Sequence, residues 1–120
     1  GVQTCALPIY LITGIPRLSP AVAHERLASS PETVLVDVRA PSERSVKWIE
    51  GSVHHSLSAW RTAVPDLPRE GPVIVHCAGG YRSVTAASLL QRQGFTNVSE
   101  LAGGIGAWEQ AGLPVSTARS

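Results

Sequence analysis

The chain has 120 residues, 43% of them apolar, and a formal net charge of +1, which is one domain's worth of sequence with material for an ordinary core. Acidic and basic residues nearly balance and no basic cluster or stripe stands out, so neither nucleic acid nor a membrane surface is indicated as a partner. The apolar stretch at 6–15 is broken by Pro8 and Gly14 and falls short of the roughly 20 residues that a membrane span needs, so the chain reads as soluble.

The two cysteines, Cys5 and Cys77, make neither a disulfide framework nor a CxxC metal spacing. A reducing compartment, the cytoplasm, fits a chain of this kind. No methionine occurs anywhere, and the opening GVQTCALPI resembles the translation of a sequencing-adapter oligonucleotide. Residues 1–10 are therefore expected to be a non-native segment on a truncated chain, to pack poorly, and to take Cys5 out of consideration. The functional domain is expected over residues 11–116, with 117–120 as a tail.

Ser19-Pro20 reads as an N-cap followed by proline at the first helical position, and Val22, Ala23, Leu27 and Ala28 recur at helical spacing, which predicts a helix over 19–28. The run TVLVDV at 33–38 is β-branched without alternation, as in a strand buried on both faces. A short helical turn at 41–44, a break at Gly51 and a short strand at 52–55 follow. Residues 57–64 form a weak helix candidate that ends at Pro65. Gly71-Pro72 leads into a second buried strand at 73–76. From Ser83 the pattern turns helical and closes at Gly94. A strand at 98–101, a helix at 105–111 stopped by Gly112-Leu113-Pro114, and a frayed polar tail at 116–120 complete the chain. Strands alternating with helices predict an α/β fold with a mostly parallel sheet and helices on both faces.

The stretch HCAGGYRS at 76–83 sits where the second strand ends and a helix begins. Ligands of open parallel sheets bind beyond the carboxyl ends of the strands, which makes Cys77 a candidate nucleophile. The thiolate is the reactive form of cysteine, and helix N-termini and nearby cations favour it. Ala78, Gly79 and Gly80 let successive N–H groups turn inward, and Arg82 can brace loop carbonyls or a neighbouring carboxylate. Four residues separate Cys77 from Arg82, one fewer than in the loop of cysteine phosphatases. The smaller ring favours one added sulfur atom over a phosphoryl group.

These residues resemble the rhodanese (sulfurtransferase) family. The loop CAGGYR at 77–82 is similar to its C-x-x-G-x-R active-site loop, and Asp37-Val38-Arg39 to its D-V-R motif. Gly103-Gly104-Ile105 with Ala107-Trp108, and AGLPV at 111–115, resemble its closing signature. At 48–52 the chain reads WIEGS where the family reads H-I-P-G-A. The wording CAGGYRS is similar to rhodanese domains fused behind metallo-β-lactamase-like domains, so an upstream fused or partner domain is expected.

The resemblance implies a three-layer rhodanese-like fold and a sulfurtransferase. Cys77 and Arg82 would be catalytic, and Ala78, Gly79, Gly80, Tyr81 and Ser83 would line the substrate, with Asp37 and Arg39 as structural support. Sulfur from thiosulfate or a persulfide donor would pass through a Cys77 persulfide to a thiol or cyanide, with no metal or organic cofactor. The alternative is a non-catalytic sulfur-carrier or docking module of a larger fusion protein, and a phosphatase or arsenate reductase is a third reading.

Simpler roles compete at several positions. A buried inert thiol is the ordinary fate of cysteine, against which the loop and Arg82 weigh. His76 should point to the opposite face of its strand as a core histidine, and the neighbours His54 and His55 should face opposite sides and hold no metal. Asp37 should brace the cysteine loop, and Ser83 should cap the helix rather than touch substrate. Trp108 should be core, and Trp60 core or pocket rim.

Overall fold

Two β-branched runs lie side by side at the centre of the protein. The computed structural model describes residues 15–61, 65–79 and 82–118. In chain order these form β1 (Arg17–Leu18), α1 (Pro20–Ser29), β2 (Val34–Asp37), α2 (Pro41–Arg44), β3 (Lys47–Trp48) and β4 (Val53–His54). A 3₁₀ turn (Leu57–Arg61), β5 (Val73–His76), α3 (Arg82–Arg92), β6 (Val98–Leu101), α4 (Gly104–Gln110) and β7 (Ser116–Thr117) follow. The expectations for residues 1–10 and for 62–64 lie outside the described residues.

Five strands pair in the order β1-β6-β5-β2-β4, all parallel. Side-chain alternation sorts the central strands onto two cores. Val36, Val73, Val75, Cys77 and Val98 face α3, where Ala86, Ala87 and Leu90 cover them. Leu35, Ile74 and Leu101 face α1 and α4, meeting Ala23, Ile105 and Trp108. Helices therefore cover both faces, as the alternation of elements requires. Among the described residues no helix is long and apolar enough to cross a membrane.

Helix α1 begins as its sequence predicts, with the Ser19 hydroxyl accepting from Val22 N at 3.3 Å and proline in the first turn. Trp108 is core, its Nε1 donating to Pro114 O at 2.8 Å. Trp60 settles as core rather than rim, 7% exposed and donating to His55 O.

The chain after Val115 departs from expectation. Ser116–Thr117 is not frayed but pairs antiparallel with Lys47–Trp48, and Ala118 N donates to Val46 O at 3.1 Å. Backbone pairing, with Ser116 Oγ donating to Glu50 Oε1 at 2.6 Å, holds a polar tail in a way that side-chain polarity does not report. The bend at 49–52 closes without the family's histidine and proline. Gly51 takes φ +88, and the Ser52 hydroxyl donates to Ile49 O and accepts from Arg44 Nη1, both at 2.6 Å.

Candidate active site

Cys77 follows β5 directly, on the face covered by α3, and is 1% exposed. His76 points the other way, as strand alternation demands. It is fully buried, and burial pushes its pKa down to about 4 against the opposite pull of Asp37, leaving it neutral near pH 7. Its Nε2 has no hydrogen-bond partner among the described residues and lies 3.9 Å from Asp37 Oδ2.

The start of α4 holds the cysteine loop. Ile105 N donates to Cys77 O at 2.9 Å and Gly106 N to Ala78 O at 3.2 Å. In a trans peptide the N–H points opposite to the C=O, so the amides of Ala78 and Gly79 face away from α4. Gly104 permits this approach. It takes φ +61, and a Cβ there would lie 2.2 Å from Cys77 O and 2.7 Å from Ala78 O. This contact gives the Gly-Gly-Ile signature its physical reason.

Arg82 opens α3 and turns its guanidinium to a carboxylate. Its guanidinium donates to Glu43 Oε1 at 2.7 Å and Oε2 at 3.0 Å. The Arg82 hydrogen bonds hold the Glu43 carboxyl down at about 2, and Glu43 in return raises the Arg82 pKa. Glu43 also accepts from Ala40 N at 2.9 Å, which fixes the first turn of α2 beside the loop.

Among the described residues Asp37 is held by Arg39 and Arg44 and not by the cysteine loop it was expected to brace. It pairs in register with His76 and shares that residue's face. Arg39 donates to it through Nε at 2.9 Å and Nη2 at 2.8 Å, and Arg44 Nη1 lies 3.3 Å away. Burial works to raise the Asp37 carboxyl, but the Arg39 hydrogen bonds help bring it down to about 2. Arg39, 2% exposed, passes the restraint on through a 2.6 Å bond to Lys47 O. Its support therefore reaches β3.

Ser83 is not the helix cap. It lies inside α3, fully buried, with Oγ 3.7 Å from Cys77 Sγ and donating to Glu100 Oε1 at 2.7 Å. Sequence reasoning missed Glu43 and Glu100. Glu100 did leave a signal, since it stands two residues after Val98 on a strand buried throughout and so shares the face of Cys77. Gly80 and Tyr81, expected to line the substrate, lie outside the described residues.

Beside the loop a cleft of ≈ 420 Å³ is lined by Arg39, Glu43, Val46, Lys47, Ala78 and Ile105, among others. His54 turns its Nε2 to Arg39 O at 2.7 Å. Among the described residues no three His, Cys, Asp or Glu side chains are placed to hold a metal ion.

A parallel α/β sheet with a cysteine at the end of its central strand, and an arginine five positions on at the start of the next helix, defines a cysteine-loop protein of the sulfurtransferase type. Residues 19–111 match the Rhodanese-like domain model, and the chain belongs to that family. It is 33% identical over 91 residues to a sulfurtransferase of Allochromatium vinosum, covering 76% of this chain and 85% of the relative. It is likewise 33% identical over 92 residues to the thiosulfate sulfurtransferase GlpE of Actinobacillus succinogenes, covering 77% and 83%. A solved rhodanese-related protein of Thermoplasma volcanium superposes with a TM-score of 0.75 at 30% identity, covering 84% of this chain and 97% of that one.

Proposed function

We propose that the protein is a sulfurtransferase that moves a sulfane sulfur from thiosulfate or a persulfide donor, through a Cys77 persulfide, to a thiol or cyanide. The observation that carries this reading is the loop itself. Cys77 and Ala78 have their carbonyls tied back to α4, which leaves their following amides free to face a small anion. The activities named for the relatives agree with it.

In the first half-reaction the Cys77 thiolate attacks the outer sulfur of thiosulfate. A new S–S bond forms, the old one breaks, and sulfite leaves with its electron pair. The outer sulfur of the persulfide then carries the negative charge, stabilised by amides of the loop. In the second half-reaction an acceptor thiolate or cyanide attacks that outer sulfur, and Cys77 returns as thiolate. The cycle needs no metal or organic cofactor. The cleft beside Ala78 would receive the body of a thiol acceptor, Gly80 and Tyr81 would complete the loop, and the reaction would run in the cytoplasm. An upstream fused or partner domain would supply or consume the sulfur.

Incubation with thiosulfate followed by intact-mass measurement tests the reading. One added sulfur is expected on the wild type and none on Cys77→Ser, with thiocyanate formed when cyanide is supplied. Wild-type protein that gains no sulfur yet hydrolyses an aryl phosphate would overturn it.

A further inference from the structure

Beneath Cys77 a hydrogen-bonded chain crosses three elements. Cys77 Sγ contacts Ser83 Oγ at 3.7 Å, Ser83 donates to Glu100 Oε1 at 2.7 Å, and Arg17 Nε donates to Glu100 Oε2 at 2.9 Å. Glu100 is 3% exposed and Ser83 fully buried, whereas the Arg17 side chain is 61% exposed. An acid buried on the face that carries the sulfur must recover its lost hydration from partners. Arg17 and Ser83 are those partners.

The direction of the bonds follows from the chemistry. Ser83 gives its single hydrogen to Glu100 Oε1 and so turns its lone pairs towards the sulfur. In that arrangement the sulfur is the donor to Ser83 Oγ.

We propose that Glu100, acting through Ser83, is a positioning residue that governs when the Cys77 sulfur gives up its proton. When the thiolate forms, the S–H bond breaks, the electron pair stays on sulfur and the proton passes to water. Ser83 then swings its hydrogen from Oε1 to the thiolate, and Arg17 remains as the partner of the carboxylate. Ser83 touches the reacting atom, and Glu100 sets its orientation.

Other charged groups lie near the sulfur among the described residues. Arg82 on α3 feels the charge of Cys77 and is paired with Glu43 of α2. His76 is next in the chain, with Asp37 of β2 beside it, held by Arg39 and Arg44, on the other face of the sheet. None of these reaches the sulfur through Ser83. A change transmitted by that hydroxyl is therefore separable from theirs.

The proposal takes Cys77 as the reacting thiol, yet alkylation tests it without any sulfur transfer, so either reading can fail alone. In the full chain, the pH dependence of iodoacetamide alkylation is followed on the Cys77 peptide by mass spectrometry, which excludes Cys5. Glu100→Gln is expected to move the midpoint of the rate profile about one unit to lower pH, because the neutral amide holds the Ser83 hydrogen less strongly than the carboxylate and leaves it to the thiolate. Arg17→Gln, a change at an exposed side chain, should move it about half a unit the other way. In a Ser83→Ala background the Glu100→Gln shift should shrink to less than half. A Glu100→Gln profile that superimposes on the wild type overturns the proposal, as does a full-sized shift in the Ser83→Ala background. Should Glu100→Gln fail to fold, an unmoved Arg17→Gln profile overturns it equally.

Discussion

Arg82 closes the cysteine loop as a strut, with two of its donors on Glu43 and its position fixed by the first turn of α3. A lysine would keep the charge and lose the planar fork that grips both carboxylate oxygens. Arg82→Lys is therefore expected to slow sulfur loading from thiosulfate about tenfold, read as the rate of mass gain. The Arg82 and Glu43 side chains are 39% and 33% exposed, so solvent screens the pair and urea unfolding should change by less than about 1 kcal/mol. A variant that loads at the wild-type rate would show that the fork is dispensable. Cys77, Arg82 and Arg39 stand out in the sequence because the family's motifs name them, and Asp37 does so in its place but not in its role. Glu43 was not, because its partner lies 39 positions away and only the folded chain brings the two together. The misreading of Asp37 had a readable cause, since it shares the face of His76 and not of Cys77.

The contact that positions the loop belongs to α4, an element of seven residues. At Gly104 two costs coincide, the left-handed φ of +61 and the carbonyls of Cys77 and Ala78 where a Cβ would sit. At Gly112 only the first applies, since φ is +80 and nothing lies within 4 Å. Gly112→Ala should then destabilise by about 1 kcal/mol and leave loading intact. Gly104→Ala should cost about 3 kcal/mol or more and also slow loading, because the loop must move. Urea unfolding and mass gain on both variants separate the costs, and equal losses would mean that the close approach is unimportant. The long elements were legible from periodicity and caps. The two-residue strands β1, β3 and β7 were not, because at that length pairing decides the conformation and local propensity carries little weight.

Across the whole molecule, the sheet keeps its two chemistries apart. The α3 face holds Cys77 with Ser83 and Glu100, while the opposite face holds His76 with Asp37 and Arg39. That second cluster makes stability depend on pH in a direction fixed by the shifts. His76 has a folded pKa of about 4, below the ordinary 6.5, so as pH falls the unfolded chain takes up the proton first. Its contribution is complete above pH 6.5 and is lost on descent to about pH 4, a change of about 3 kcal/mol. His55, lowered by burial and then by the charge of His54, acts in the same direction. Glu43 and Asp37, both held at about 2 from 4.5 and 3.8, add a further loss as pH falls from those values towards 2. The urea midpoint should therefore decline between pH 6.5 and 4.5 and steepen below. In His76→Gln the upper decline should shrink to the part that His55 supplies, whatever the variant loses at neutral pH. An undiminished slope would mean that His76 already takes its proton in the folded protein, with Asp37 receiving the charge in spite of Arg39 and Arg44.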